Sequence, residues 1–486
     1  MNKFYLTTAI PYVNAKPHVG HALEFVQADV IKRLRKILGD EVLLLSGADE
    51  NAIKNVQAAE KQGQDVQEFI DIHSKEFEEL AKNLNIQFDV FQRGSEEKHH
   101  LASQKLWELC NKNGDIYKKT YTGLYCVGCE LFYEKNELNE KGECFEHPGK
   151  PLEEVSEENY FFKLSKYQKQ IENLIQKDEL KIYPTFRKNE VLGFLKEGLK
   201  DISISRSNKR AKNWGVKVPN DNNQRMYVWF DALNIYQSGV GFGSSHKNHQ
   251  QEYKKWWPAD LHVIGKGIIR FHAVYWPAFL LSAGLRLPKA LFVHGYFTVD
   301  GQKMSKSLGN VIDPNDLINK YGADGLRYYF LREISPFSDG DFSEKRLTEV
   351  YNADLANGLG NLVARVAKLC ETSNFKQTES KQSRHIIAEY DNYLNILNEY
   401  LFNDALSLIF SKITRVDKYI DDEKPWELVR SPNSKRPIEP ILDHAVDQIL
   451  EIAKLLEPFL PETSEKITKQ FEQPNIKSEA SLFPRI

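Results

Sequence analysis

Within the first fifty residues two apolar, strand-like runs flank one long helical pattern, and few folds accept that arrangement. Residues 3–10, KFYLTTAI, are rich in β-branched and aromatic side chains and stop at Pro11. A short loop leads to a helical pattern from about His18 to Leu38, which Gly39 ends. EVLLLSGA at 41–48 is then apolar without alternation, as a strand buried on both faces requires. Strand, helix and buried strand in succession predict an α/β fold with a doubly wound, Rossmann-like parallel sheet. FDVFQRG at 88–94 continues the alternation, and Ser95 ahead of Glu96 and Glu97 has the composition of a helix N-cap.

The rhythm breaks near residue 116. YKKTYTGLYCVGCELFYEKNELNEKGECFEHPGKPL favours strands and turns and gathers Cys and His, so it reads as an inserted module that splits the sheet domain. Sheet-domain signals return in YVWFDAL, ADLHVIG and KALFVHGYFTV. From about residue 346 the leucine spacing is helical only, an all-α bundle, with CETSNFKQTESKQSR as its linker. The expected divisions are 1–115 and 225–300 for the two halves of the sheet domain, 116–224 for the insertion, 301–345 for a lysine-bearing loop region, and 346–486 for the bundle.

The net charge of −3 gives no whole-molecule field to attract nucleic acid, so any RNA contact must come from local groups. No apolar run reaches the roughly 20 residues of a membrane span. The opening shows no cleavage pattern for a signal peptide, which makes the cytoplasm the expected location. Five cysteines, three of them within nineteen residues, argue against a disulfide framework and for a local metal site.

Two motifs carry chemistry. His18 and His21 bracket Gly20 where the first strand hands over to its helix, the usual phosphate position of a doubly wound sheet. Imidazole N–H groups and helix-start amides both donate to phosphate oxygens, and Gly20 leaves room for a base or ribose against the backbone. An H-x-x-H by itself more often caps a helix than binds anything. The glycine-rich dinucleotide fingerprint is missing, which disfavours NAD. In DGQKMSKSLGN, residues 300–310, Lys303 and Lys306 flank Met304 and Ser305 on a loop bounded by Gly301 and Gly309. Such a loop can bring two point charges to a triphosphate and withdraw them, although a solvated basic turn has the same composition. Cys126-x-x-Cys129 and Cys144-x-x-His147 have the spacing of a tetrahedral Cys3His zinc site. Four protein ligands leave no open position, so that metal would be structural. No Ser-His-Asp or Cys-His nucleophile is apparent.

H-x-G-H early and K-M-S-K-S late resemble the class I aminoacyl-tRNA synthetases. PYVNAKPHVGH, SGADEN, DISISR with NWGVKVP, YVWFDAL, GIIRFH and VHGYFTVDGQKMSKSLGN are similar to the methionyl branch of that family, over essentially the whole chain. The resemblance implies attack of a methionine carboxylate on the α-phosphate of Mg²⁺-bound ATP, then transfer of methionine to the 3′ end of tRNA(Met). It implies that His18, Gly20, His21, Lys303 and Lys306 hold ATP, with the two histidines and two lysines catalytic. It places Ile10, Tyr12, Trp229, Ala232, Leu233, Tyr236, Ile268 and His272 around the methionine side chain, and Asp49 at its ammonium. It implies one structural Zn²⁺ in the connective insertion, a stem-contact role for 301–345, and an anticodon-binding bundle with Asn361, Arg365 and Trp426 facing the anticodon. The end at LFPRI, without an appended tRNA-binding domain, suggests a monomer. Two departures stand out: GKGI puts Gly267 where the family carries an acidic residue, and Asn51-Ala52 replaces the His-Gly of many relatives.

The rival readings are a sister synthetase for leucine, isoleucine, valine or cysteine, an RNA-binding module without catalysis, and a small nucleotidyltransferase. The chain has no room for the large editing insertion of the branched-chain enzymes. Intact His18, His21, Lys303 and Lys306 argue against a catalytically silent module.

Overall fold

The computed structural model describes residues 2–126, 131–133, 138–144, 149–299, 301–304, 310–377, 387–430 and 436–486. The chain forms two compact units, one of residues 1–16, 39–78 and 88–293, the other of residues 17–38, 79–87 and 294–486.

The first unit is built on a six-stranded sheet. Its order is Val90–Arg93, Glu41–Ala48, Lys3–Thr7, Leu261–Gly265, Ala290–His294 and Lys181–Tyr183. Lys3–Thr7 pairs in parallel with Glu41–Ala48 on one side, Leu6 opposite Leu44, and with Leu261–Gly265 on the other, Leu6 opposite Leu261. The unbroken apolar run of residues 42–48 is buried throughout, which is why it does not alternate. In an open sheet of this kind, ligands bind beyond the carboxyl ends of the strands. The strand ends at Thr7, Ala48 and Gly265 therefore mark where a site belongs.

Residues from the insertion form a second, antiparallel sheet in the same unit. Ile116–Cys126 pairs with Glu153–Phe162 from Ile116 opposite Phe162 to Tyr125 opposite Glu153, flanked by Leu131–Tyr133 and Ile202–Ser203. YVWFDAL is not extended. Val228–Ala232 is a short helix, while Leu261–Gly265 and Ala290–His294 supply the strands expected from ADLHVIG and KALFVHG. The N-cap expectation at Ser95 fails. The helix Glu97–Lys112 is capped by Glu96 without a side-chain bond, and the Ser95 N–H and Oγ both donate to Glu50 Oε2, at 2.9 and 2.6 Å. A buried carboxylate is the stronger acceptor for that hydroxyl.

The second unit contains the long helix Val19–Ile37, a three-stranded sheet of Phe297–Val299, Gln302–Lys303 and Gly340–Phe342, and the helical C-terminal region. Its helices include Pro314–Glu333, Asn361–Ser373, Phe402–Glu423, Pro425–Arg430 and Glu439–Leu456. Arg327 is fully buried and ties three segments together. Its guanidinium pairs with Asp29 at 2.8 Å and donates to the carbonyls of Leu84, Pro458 and Phe459. A buried charge is tolerated when it is paired and each of its nitrogens finds a partner, as here. The linker expectation is partly wrong, since Cys370–Ser373 completes the helix Asn361–Ser373; residues 378–384 of that stretch lie outside the described residues. Among the described residues, no helix is long and apolar enough to cross a membrane.

Candidate active site

In the first unit, the residues expected around a methionine side chain sit on elements that end at or follow the sheet. Tyr12 forms an isolated parallel bridge with Asp49, and the Asp49 N–H donates to the Pro11 carbonyl at 2.9 Å. Asp49 is buried just past the strand Glu41–Ala48, and Asn55 Nδ2 holds its carbonyl at 2.8 Å. Tyr12 meets Trp229 edge to face at 6.4 Å, and Lys54 lies 4.3 Å above the Tyr12 ring. Trp229 stacks on Phe271, with ring centroids 3.7 Å apart and planes within 5°. Ala232 and Leu233 are buried at the end of the same short helix, and Ile10 and Ile268 pack against this core half-buried.

Phe271–Tyr275 is a π-helical turn, a widened helix found mostly at functional sites, and it carries His272. The His272 Nδ1–H donates to the Ile268 carbonyl at 2.9 Å, so its Nε2 is the acceptor for the Tyr236 hydroxyl at 2.7 Å. Burial pushes the His272 pKa down to about 4, which leaves the ring neutral near pH 7. Behind Tyr236, at 4.4 Å, lies His262, bonded through Nδ1 to Thr7 Oγ1 at 2.7 Å and driven well below its ordinary pKa by burial and then by His272. His262 and Phe271 escaped the sequence reading. The signal for His262 was a lone imidazole inside an apolar strand; the Trp229–Phe271 stack joins residues forty-two apart and left no local trace.

A polar network braces the loop after Asp49. Asn51 Nδ2 donates to Asp231 Oδ2 at 2.6 Å and to the Gly94 carbonyl at 2.8 Å, and His99 lies 3.6 Å from the same carboxylate. The Trp214 indole N–H donates to the Glu50 carbonyl at 2.8 Å, joining NWGVKVP to GADEN. Asn51 thus has a defined partner at the position where it departs from the family pattern. Gly267, the other departure, is exposed in a short 3-10 turn.

In the second unit, His18 caps Val19–Ile37. The Gly20 N–H donates to His18 Nδ1 at 3.1 Å, and the His18 N–H donates to His21 Nδ1 at 3.2 Å. Both Nδ1 atoms are acceptors, so each neutral ring carries its proton on Nε2. Desolvation holds His18 at about 4 and, with the neighbouring His18, holds His21 well below its ordinary value. The rings stack at 3.9 Å. A Cβ on Gly20 would fall 2.9 Å from the His18 ring, so the glycine makes room for its own neighbour, with the Met304 methyl 3.5 Å away on the other side. No acidic residue occupies the first turn, leaving the positive helix end uncompensated. Glu24 and His294, a 2.8 Å pair one turn on, were not read from the sequence. Lys306 lies outside the described residues, and of Lys303 only the backbone, in the strand Gln302–Lys303, is described.

On the bundle, Asn361 is exposed at the start of Asn361–Ser373, and Arg365 lies 4.9 Å over the Trp426 ring. Arg365 also pairs with Asp417 at 3.1 Å and with Asp421. Of the expected zinc ligands, Cys126 and Cys144 are buried, with Cys144 Sγ 3.7 Å from the Tyr133 hydroxyl; Cys129 and His147 lie outside the described residues. Among the described residues no cluster of three or more metal ligands occurs.

A nucleotide-type sheet, a helix start armed with two imidazole donors and a buried neutral pocket define an amino-acid-activating enzyme of class I. The chain belongs to the tRNA synthetases class I (M), whose family model matches residues 4–367. Its relatives are methionine–tRNA ligases. That of Rhizobium meliloti is 41% identical over 475 residues, covering 96% of this chain and 90% of the relative. That of Synechocystis is 43% identical over 479 residues, covering 96% and 89%. Among solved structures, Mycobacterium tuberculosis methionyl-tRNA synthetase bound by methionyl-adenylate superimposes with a TM-score of 0.90 at 33% identity, over 99% of this chain and 100% of that one.

Proposed function

We infer that this chain is an ATP-dependent methionine–tRNA ligase. It activates methionine with ATP to methionyl-adenylate and pyrophosphate, then passes methionine to the 3′ end of tRNA(Met). The observation that carries this reading is the start of Val19–Ile37, where two imidazoles kept neutral by burial accept backbone N–H bonds at Nδ1 and so carry their protons on Nε2. Phosphoryl transfer of this kind requires position and charge stabilisation rather than a protein nucleophile. His18 and His21 supply imidazole donors for phosphate beside Gly20, and Lys303 and Lys306 supply charge as pyrophosphate separates. Mg²⁺ accompanies ATP.

The methionine pocket is assigned to Ile10, Tyr12, Trp229, Ala232, Leu233, Tyr236, Ile268 and His272, with Asp49 for the ammonium. Tyr236 spends its proton on His272, and His272 spends its own on a carbonyl. No charge and no spare donor of this pair faces the substrate, which suits a polarisable, apolar thioether among rings. A charged side chain would be desolvated there without compensation.

We assign residues 1–115 and 225–300 to the catalytic domain, 116–224 to the connective insertion, 301–345 to the loop and stem-contact region, and 346–486 to anticodon binding through Asn361, Arg365 and Trp426. One structural Zn²⁺ would be held by Cys126, Cys129, Cys144 and His147. The burial of Cys126 and Cys144 supports that set, since metal thiolates are held out of water. We assign the enzyme to the cytoplasm, acting as a monomer. The test is charging: purified protein with ATP, Mg²⁺ and methionine should esterify a tRNA(Met) transcript bearing a CAU anticodon at its 3′ end. Failure to charge it, with charging of another tRNA, would overturn the assignment.

A further inference from the structure

Methionine reaches the pocket as a zwitterion, with its ammonium and its carboxylate on one carbon. Of the residues assigned to it, only Asp49 carries a charge, since burial keeps His272 neutral. The carboxylate, which is the nucleophile of the activation step, has no counter-charge in that set. A cation stands close by. Lys54 lies half-buried in the first turn of the helix Ile53–Gln62, with its Nζ 4.3 Å above the Tyr12 ring.

The backbone holds Lys54 and Asp49 in a fixed relation. Asn55, fully buried and next to Lys54, donates from Nδ2 to the Asp49 carbonyl at 2.8 Å, which ties the strand end to the first turn of the helix. On the other side, Tyr12 bridges Asp49 through its backbone and carries the Lys54 ammonium over its ring. The same ring meets Trp229 edge to face at 6.4 Å, so it links the cation to the apolar wall of the pocket. The N-cap of this helix is Ala52, which offers no side-chain oxygen, and the first turn holds no acidic residue. The positive end of the helix therefore adds to the field of Lys54. One ring and one buried amide thus join an acid and a cation at the mouth of a neutral pocket.

We propose that Lys54 binds the α-carboxylate of methionine, so that Asp49 and Lys54 grip the zwitterion at both charges. This rests on the methionine-activation reading above. A carboxylate offers a full charge and two acceptor oxygens where a ring offers only a quadrupole, so the ammonium turns from Tyr12 to the substrate. One carboxylate oxygen then bonds to the α-phosphorus of ATP, and pyrophosphate leaves with the electron pair of the broken P–O bond. The mixed anhydride that results has lost the carboxylate charge. The pairing with Lys54 therefore belongs to bound methionine and not to the adenylate, and it sets KM for methionine rather than kcat.

The experiment compares methionine with methioninol, the alcohol that keeps the ammonium and the thioether and lacks the carboxylate. Calorimetric titration gives Kd of both ligands for the full-length wild-type, Lys54→Met and Lys54→Arg enzymes, and pyrophosphate exchange gives KM and kcat for methionine. Lys54→Met keeps an apolar stem over Tyr12 and removes only the charge. It should weaken methionine binding about tenfold to a hundredfold, as loss of a charged hydrogen bond does, and raise KM by the same factor with kcat unchanged. Methioninol should bind the wild type and Lys54→Met equally, and Lys54→Arg should recover most of the methionine affinity. Because both ligands are measured on the same variant, any general loosening of the fold shows as an equal loss on the two. Equal losses would overturn the proposal and leave Lys54 as a support for Tyr12. Unchanged methionine affinity, or a fall in kcat at constant KM, would overturn it too, the latter assigning the charge to the departing pyrophosphate. Absent methionine-dependent exchange in the wild type would overturn the synthetase reading instead.

Discussion

The ring pocket of the first unit and the Arg365–Trp426 pair of the second unit are built by opposite physical means. In the pocket, Trp229, Tyr236, His262 and His272 are buried and neutral, and the Tyr236–His272–Ile268 chain fixes which atom carries each proton. On the bundle, Trp426 and Arg365 are half-exposed, and Arg365 is held by two carboxylates. The pocket is preorganised and requires the ligand to fit it. On the proposed anticodon role, the Arg365 guanidinium would leave these acceptors for those of a base. The first region should therefore respond to substitution in stability and methionine affinity together, the second in tRNA charging alone.

The largest effect should come from Trp229→Ala. Emptying a buried site stacked on Phe271 at 3.7 Å should cost about 3–5 kcal/mol in chemical unfolding and raise KM for methionine. A variant with normal stability and normal KM would show that this ring is a bystander. Next comes Trp426→Ala, where loss of a stacking surface should lower kcat/KM for tRNA charging about tenfold to a hundredfold while exchange and unfolding stay near wild type. A common fall in both activities with a lower melting point would mean that Trp426 is packing.

How much of this contrast was legible in the sequence depends on the range of the contacts. His18, Gly20 and His21 were readable because their geometry is made within four residues of one helix start, although the use of Gly20 to admit the His18 ring was not. Tyr236 and His272 came through family resemblance; their hydrogen bond and shared neutrality are products of folding. Asn51 with Asp231, and Arg327 with Asp29, Leu84, Pro458 and Phe459, join segments far apart in the chain and leave no periodic pattern to find. Ser95 misled for the converse reason: local cap chemistry was present, and a distant carboxylate, Glu50, outcompeted it.

Acid should separate the regions further. His18 and His272 titrate near 4 in the folded chain, and His21 and His262 lower than usual, because burial disfavours their charged forms. Unfolded, such groups take protons near 6.5. Between about 6.5 and 4 the unfolded chain therefore binds more protons, and stability should fall as pH falls through that window. Melting temperatures from pH 7 to 5 should show this slope, and His262→Asn should flatten it. An unchanged slope in that variant would contradict the buried, neutral assignment. The smallest effect belongs to Asp417→Asn and Asp421→Asn, which should alter unfolding by no more than about 1 kcal/mol, as half-exposed ion pairs do, while charging is kept or improved. A loss of charging in either would mean that these carboxylates orient Arg365 for the base rather than compete with it.

The central claim is that a neutral, preorganised pocket selects methionine for activation. ATP–pyrophosphate exchange, run with each amino acid in turn and Mg²⁺ present, tests it without tRNA. The account predicts exchange with methionine far above leucine, valine or cysteine, abolished by chelating Mg²⁺ and reduced about a hundredfold to a thousandfold in kcat by Lys306→Ala. Exchange driven best by another amino acid, or none with any, would contradict it.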